Sequence, residues 1–176
     1  MQDATVVVSA WLIGVITIIT ILVVIAEKKG KRKTMQQLFK YFNLKSLGEG
    51  LDCQVRDVFR EYIIGLDFKK GKLLVAVKEE DQLRSFIIKL EDVRACTVEK
   101  QFWHADDFFE ERILETISLR LRFADDSPPV DLPFYRHTQH HILSAEELES
   151  KAVAWATRLV GVMRSVKRKQ QNHHSK

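Results

Sequence analysis

The stretch that decides the fold is Ile113-Leu-Glu-Thr-Ile-Ser-Leu-Arg-Leu-Arg-Phe123. Its apolar side chains fall on one face of an extended chain: Ile113, Ile117, Leu119, Leu121 and Phe123. The opposite face is polar and carries Thr116, Ser118, Arg120 and Arg122. Such alternation with a period of two is typical of a half-buried β-strand. We therefore predict a domain rich in antiparallel β-structure around this strand.

Further strands are expected on both sides of it. The chain before it alternates or runs apolar over residues 62–68, 72–77, 84–90 and 94–100, and the chain after it over residues 130–135. The first two are joined by Lys69-Lys70-Gly71, a three-residue hairpin loop in which Gly71 suits the left-handed position. Residues 101–112 do not alternate cleanly, so they are predicted to form a long loop.

The last predicted element is an amphipathic helix. Ser144 and Glu147 have the spacing of a capping box, which starts a helix. Apolar residues then recur at intervals of four and three: Leu148, Ala152, Trp155, Leu159, Val162 and Val166. This stripe predicts a helix with one face against the core. The fold class is therefore α+β, with several antiparallel strands followed by one helix.

Four segments resemble a known family. They are the opening hairpin at residues 65–73, the strand end at 88–93 with 97–99, the strand at 119–123, and the closing helix. Together they are similar to bacterial pleckstrin-homology-like (PH-like) domains, over residues 50–166. The resemblance implies an antiparallel β-barrel or curved sheet capped by the C-terminal helix, and an interaction module. It carries over no catalytic motif and no binding residue.

The N-terminus has the composition of a transmembrane helix. Residues 4–26 contain no charged side chain, and 23 helical residues span roughly 34 Å at about 1.5 Å each. A bilayer core of about 30 Å would be covered. A cleavable signal peptide is the alternative, but the start Met-Gln-Asp lacks a basic residue and the apolar run is long for one. We therefore predict a single-pass helix over residues 4–26.

Charge around that helix predicts its orientation. The N-terminal flank carries Asp3, whereas five basic residues follow the apolar run: Lys28, Lys29, Lys31, Arg32 and Lys33. Because basic residues remain inside, the N-terminus is expected outside the inner cell membrane and the rest in the cytoplasm. Residues 27–49 would be a basic juxtamembrane segment with a short helix at 34–44, and residues 167–176 a basic flexible tail.

The folded body is not basic, although the whole chain has a net charge of +4. Residues 35–166 carry 19 Lys and Arg against 22 Asp and Glu. A nucleic-acid-binding domain needs a clustered cationic surface, so nucleic acid is not expected as a partner. Cys53 and Cys96 are too few for a disulfide framework and are expected to be reduced.

The predicted loop at residues 101–112 holds the strongest binding candidates. Four rings lie among acidic residues there: Phe102, Trp103, Phe108 and Phe109. Exposed aromatic side chains mark interfaces, so these residues are candidates for binding a partner. The alternative is that the rings cover an open end of the sheet.

Two other clusters suggest weaker sites. His137, His140 and His141 are candidate metal ligands, although no cysteine or regular spacing supports them, and we expect no cofactor. Lys69, Lys70 and Lys72 lie on the first hairpin, where related eukaryotic domains bind anionic headgroups, but acidic residues follow closely.

These observations favour a membrane-anchored, non-catalytic interaction or scaffold module. It would position a protein partner, or another copy of itself, at the membrane. Two alternatives remain open: a domain that senses anionic lipid or a small ligand, and a metal-dependent enzyme built on the histidine cluster.

Overall fold

The computed structural model describes residues 30, 32–79, 82–106, 109–125, 127–140 and 142–174. Helix α1 covers residues 32–48. Seven strands follow: β1 (Val55–Val58), β2 (Tyr62–Asp67), β3 (Lys72–Glu79), β4 (Gln82–Lys89), β5 (Val93–Asp106), β6 (Phe109–Phe123) and β7 (Val130–Arg136). A short 3-10 helix, Ile142–Ser144, leads into helix α2 (Ala145–His174).

The strands form two antiparallel sheets. The first has the order β1-β2-β3-β4 and the second the order β5-β6-β7. A tight turn of four residues, 68–71, joins β2 to β3. It is one residue longer than the predicted loop, and Gly71 has the expected left-handed conformation, with φ 61°. Asp67 stabilises this turn, because its carboxylate accepts hydrogen bonds of 2.9 Å from the backbone N–H groups of Lys69, Lys70 and Asp52.

Side chains from both sheets and α2 build the main core. The predicted helical stripe is confirmed, since Ala152, Trp155 and Leu159 are completely buried. They pack with Ile117, Leu119, Leu121, Phe134 and Tyr135, among other buried residues. An aromatic group joins the sheets: Phe59 stacks on Tyr62 with ring centroids 4.6 Å apart, and Tyr62 Oη donates to the carbonyl of Pro133.

A second, smaller core lies on the other face of the first sheet. Helix α1 contributes Leu38 and Phe42, which pack with Ile63, Leu74 and Ala76. This packing explains why every residue of β2 is buried, a pattern expected when both faces of a strand are covered. The predicted helix at residues 34–44 is therefore confirmed in type but is longer, and it packs on the domain.

The prediction of a loop at residues 101–112 is wrong. The β5–β6 hairpin continues to the pair Asp106 and Phe109. Its register shifts between Gln101 and Phe102 and again between His104 and Asp106. Each β-bulge inserts an extra residue and changes which face the following side chains occupy. Both shifts leave the extra residue on β6, so the alternation of that strand is interrupted before Thr116.

The predicted fold class and localisation also need correction. We expected a single barrel or curved sheet behind a transmembrane helix. The described residues form two separate antiparallel sheets and a C-terminal helix instead.

Within the described part of the chain, neither helix combines the length and the apolar character needed to cross a membrane. Helix α2 has 30 residues, but charged side chains such as Lys151 and Arg158 interrupt it. Single-pass insertion is therefore unsupported, and the predicted span at residues 4–26 lies outside the described residues.

Candidate protein-interaction site

The β5–β6 hairpin extends past the end of β7. The pairing of β7 with β6 ends at the pair Arg136 and Thr116. One residue further, the N–H of His137 donates to the carbonyl of Glu115. Beyond that point β5 and β6 pair only with each other among the described residues. We call this two-stranded part, residues 101–106 and 109–114, the ribbon.

The ribbon exposes two large aromatic side chains. Phe102 is 46% exposed and Trp103 is 56% exposed. Phe102 is paired with Leu114 and Trp103 with Ile113, so the two rings project from opposite faces of the ribbon. Because Leu114 packs against the main core, the Trp103 side is the one that faces away from it.

The other two aromatic candidates are only partly described. Phe109 begins β6, which places it at the far end of the ribbon. Phe108 lies outside the described residues. The structure therefore places Phe102, Trp103 and Phe109 on one hairpin. The sequence had indicated that these residues belong together, but it had not indicated a hairpin.

Polar contacts hold the base of the ribbon. Lys100 forms a 2.7 Å ion pair with Glu149 in the first turns of α2. Next to it, the hydroxyl of Thr116 donates 2.9 Å to the side-chain oxygen of Gln101 across the hairpin. The first contact joins the base of the hairpin to α2, and the second joins β5 to β6 where the ribbon begins.

An arginine links all three strands below the ribbon. Arg120 on β6 donates twice to Asp131 on β7, at 2.7 and 2.8 Å, and pairs with Glu99 on β5 at 2.5 Å. The hydrogen bond from Arg120 lowers the pKa of Asp131 despite its partial desolvation. The same bond raises the pKa of Arg120. Two-pronged pairing of this kind fixes geometry as well as charge.

A second exposed surface lies along α1, and sequence reasoning missed it. A groove of about 530 Å³ is lined by Met35, Gln36, Phe39, Lys40, Asn43, Leu44, Leu47 and Val58. Leu47 is 78% exposed and Leu44 59% exposed. The signal was present in the sequence: the apolar residues of α1 are too many for the single face that Leu38 and Phe42 occupy. We call this surface the α1 groove.

The predicted histidine cluster is engaged in local contacts. The ring Nδ1 of His140 accepts a 3.1 Å hydrogen bond from the Arg136 N–H, and Nδ1 of His137 lies 3.3 Å from the Tyr135 hydroxyl. His141 lies outside the described residues. Among the side chains that the structure does describe, no group of three or more His, Cys, Asp or Glu could hold a metal ion.

The described lysines of the first hairpin make local contacts. On the first hairpin, Lys70 Nζ donates 2.7 Å to the carbonyl of Gly50, and Lys69 lies 3.6 Å from the Asp52 carboxylate. Arg32 and Lys33 are exposed at the start of α1. The remaining basic residues of the predicted topology signal, Lys28, Lys29 and Lys31, lie outside the described residues.

Both cysteines are free thiols, as expected for reduced residues. Burial raises the pKa of Cys96 to about 12. Desolvation also raises the pKa of Cys53, although its contact with Ser46 opposes the shift. Neither thiol therefore has the lowered pKa of a reactive cysteine.

Comparison of the chain with protein-family models, with curated proteins and with solved structures finds no match.

Proposed function

We propose that this protein is a non-catalytic interaction module, and that the ribbon is its partner-binding element. The module would hold a protein partner, or another copy of itself, on its exposed aromatic side chains. The observation that carries the proposal is the exposure of Phe102 and Trp103 on a hairpin that extends beyond its sheet.

The exposure of these rings argues against a purely structural role. A ring that covered the open end of a sheet would be buried by that contact, whereas more than half of the Trp103 side chain is accessible. Aromatic side chains bury about 150–250 Å² each. Tryptophan is also among the residues that most often dominate binding energy at interfaces. Leaving Trp103 in water is thus a cost that a bound partner would remove.

The attachment of the ribbon also supports binding. Lys100 and Gln101 at its base are fixed by Glu149 and Thr116. A preordered surface loses less conformational entropy on binding than a flexible one. The ribbon therefore combines accessible aromatic area with polar contacts at its base.

Site-specific photo-crosslinking tests the proposal. A benzophenone amino acid replaces Trp103 in the full-length chain, which is expressed in its own cells and irradiated. A matched chain carries the probe at Phe68, which is 37% exposed on the β2–β3 turn. We expect a discrete crosslinked protein from position 103 that is absent from position 68. Equal, diffuse crosslinking from both positions would contradict the proposal.

A further inference from the structure

Helix α1 has an exposed face with apolar side chains on it. Spacings of three and four residues place side chains on one side of a helix, and here that side consists of Lys33, Gln36, Lys40, Leu44 and Leu47, all of them exposed. It lies opposite to Leu38 and Phe42, which are buried against the first sheet. Its two leucines line the α1 groove together with Val58 of β1, which is 48% exposed. The domain therefore leaves three aliphatic side chains in water on one surface.

The charge around these side chains has one sign. Residues 32–48 contain four exposed basic residues, Arg32, Lys33, Lys40 and Lys45, and no acidic residue. Lys40 lines the α1 groove, and the other polar residues that line it are the uncharged amides Gln36 and Asn43. The acidic residue nearest in sequence, Glu49, comes after the helix. The apolar surface thus has a basic border.

Strand β1 adds to the positive charge. The guanidinium of Arg56 lies 5.2 Å from the centre of the ring of Phe39, which lines the groove. The next residue, Asp57, accepts a hydrogen bond from the indole nitrogen of Trp155 in the main core. Because successive side chains of a strand point to opposite faces, Arg56 is directed toward α1 and the carboxylate of Asp57 away from it.

An apolar patch with a basic border favours an anionic lipid surface as the occupant. A helix that lies in the plane of a bilayer inserts its apolar side chains about 5–10 Å into the boundary between headgroups and acyl chains. Its Lys and Arg residues are attracted to anionic headgroups. A carboxylate would be repelled there, and none lies among the residues that line the groove.

We infer that the α1 groove docks on the surface of an anionic lipid bilayer. Helix α1 would lie parallel to the bilayer, with Leu44, Leu47 and Val58 among the upper parts of the acyl chains. Lys40 and Arg56 would contact the headgroup phosphates. The buried side of the helix stays packed on the first sheet, so docking needs no rearrangement of the domain. The contact is peripheral, because the helix lies on the bilayer and does not cross it.

Charge should contribute most of the affinity. Each basic residue near an anionic surface strengthens binding about fivefold, whereas only three aliphatic side chains are available for insertion. Docking should therefore require anionic lipid, and it should weaken as salt is added because salt screens exposed charges. The ribbon belongs to the second sheet, so this lipid-binding surface is separate from the proposed partner-binding element and does not depend on it.

Fluorescence quenching at a single position tests the inference. Retention of the whole chain on vesicles would not distinguish α1 from the apolar residues 4–26, so a site-resolved probe is required. An environment-sensitive fluorescent amino acid replaces Leu47 in the full-length chain. A matched chain carries it at Val153 of α2, which is 49% exposed. The vesicles are phosphatidylcholine with or without about 30% phosphatidylserine, the anionic lipid. Bromine atoms on their acyl chains are the quencher.

We expect quenching at position 47 with the phosphatidylserine vesicles and none at position 153. Equal signals at the two positions, or quenching at position 47 that does not need phosphatidylserine, would overturn the inference. A spectral shift at position 47 that occurs without vesicles and grows with protein concentration would also overturn it. That result would identify a second copy of the chain as the occupant.

Substitutions provide an independent test with matched controls. The readout is the ratio of quenched to unquenched probe at position 47. Lys40→Gln should lower this ratio about fivefold, since one basic residue is lost. Leu44→Asn should lower it about tenfold or more, since the bilayer would bury this leucine. The controls Lys151→Gln and Val153→Asn, on exposed positions of α2, should leave it unchanged. Equal effects of Lys40→Gln and Lys151→Gln, or no effect of Leu44→Asn, would overturn the inference.

The outcomes separate this inference from the proposed function. Suppose that Trp103→Ser abolishes binding of a protein partner while the probe at position 47 is never quenched. Lipid docking then fails, and the role of the ribbon as a binding element stands. Suppose instead that position 47 is quenched as expected while Trp103→Ser changes no association. The ribbon proposal then fails, and lipid docking stands.

Discussion

The indole nitrogen of Trp155 donates a 2.6 Å hydrogen bond to the carboxylate of Asp57. This contact joins α2 to β1, across 98 positions of sequence. Trp155 is completely buried in the main core, and Asp57 lies on the edge strand of the first sheet. The pair therefore connects the C-terminal helix to the sheet that also carries α1.

Removing the acceptor should destabilise the domain. In Asp57→Ala the buried indole N–H of Trp155 loses its partner, and an unsatisfied buried donor costs about 1–3 kcal/mol. Asp57→Asn retains an acceptor oxygen and should lose less. Urea denaturation of both variants, followed by circular dichroism, measures the difference. Equal stability of Asp57→Ala and the unchanged chain would show that the bond is not formed.

The packing of α1 depends on a glycine. A Cβ atom added at Gly65 would overlap with Cζ of Phe42, so Gly65→Ala must displace the Phe42 ring of α1 or shift β2. Overpacking of this kind costs about 1–3 kcal/mol. The matched control is Gly161→Ala in α2, where an added Cβ meets nothing within 4 Å. The control should stabilise the helix by about 0.5–1 kcal/mol.

The thermal midpoints of the two glycine variants give the comparison. Gly65→Ala should melt below the unchanged chain and Gly161→Ala above it. A Gly65→Ala variant as stable as the unchanged chain would mean that Phe42 does not pack against β2.

Asp67 makes the stability of the folded domain depend on pH. Burial acts to raise the pKa of this carboxyl, but hydrogen bonds from the N–H groups of Lys70, Asp52 and Lys69 together outweigh it, so the pKa is lowered. A lowered pKa in the folded state gives stability that is present above the unfolded value of about 3.9. That stability is lost as the pH falls below this value through the folded pKa.

The acid dependence can be assigned by substitution. Asp67→Asn should lose about 1–3 kcal/mol at neutral pH, because three partly buried hydrogen bonds to a charged acceptor are replaced by bonds to a neutral, poorer one. Its stability should also change less between pH 5 and pH 2. Asp92→Asn, on an exposed turn residue, is the control and should follow the unchanged chain. Identical pH profiles for all three would contradict the role of Asp67.

The cysteine thiols should react slowly in the folded protein. With a pKa of about 12, only about one Cys96 in 10,000 is a thiolate at pH 8, and the thiolate is the reactive form. Iodoacetamide should therefore modify Cys96 far more slowly in the folded chain than in urea. Mass spectrometry of timed samples measures both rates, and equal rates would contradict the partial burial of Cys96.

The sequence predicted the elements whose signal is local and regular. The spacing from Leu148 to Val166 gave the buried face of α2, and Gly71 gave the β2–β3 turn. Each of these signals lies within one element and needs no knowledge of its neighbours. The resemblance to PH-like domains stays a prediction, since no comparison supports it.

The rest depended on contacts between distant segments. The second core was not predictable from α1 alone, because its partner is the far face of β2, where Gly65 makes room for Phe42. The ribbon was hidden by two register shifts, which add residues on β6 and interrupt its alternation before Thr116. Its aromatic residues were nevertheless found from composition, since rings among acidic residues are unusual for a loop.

The most direct test of the ribbon compares two aromatic substitutions in the full-length chain. Trp103→Ser removes the exposed ring of the ribbon, and Phe86→Ser removes a ring that is 39% exposed on β4. Both are surface changes and should alter stability by less than about 0.5 kcal/mol. Quantitative mass spectrometry of the proteins retained by each chain, including other copies of itself, gives the readout. We predict that Trp103→Ser loses a retained partner that Phe86→Ser keeps, whereas identical retention by both variants would contradict the account.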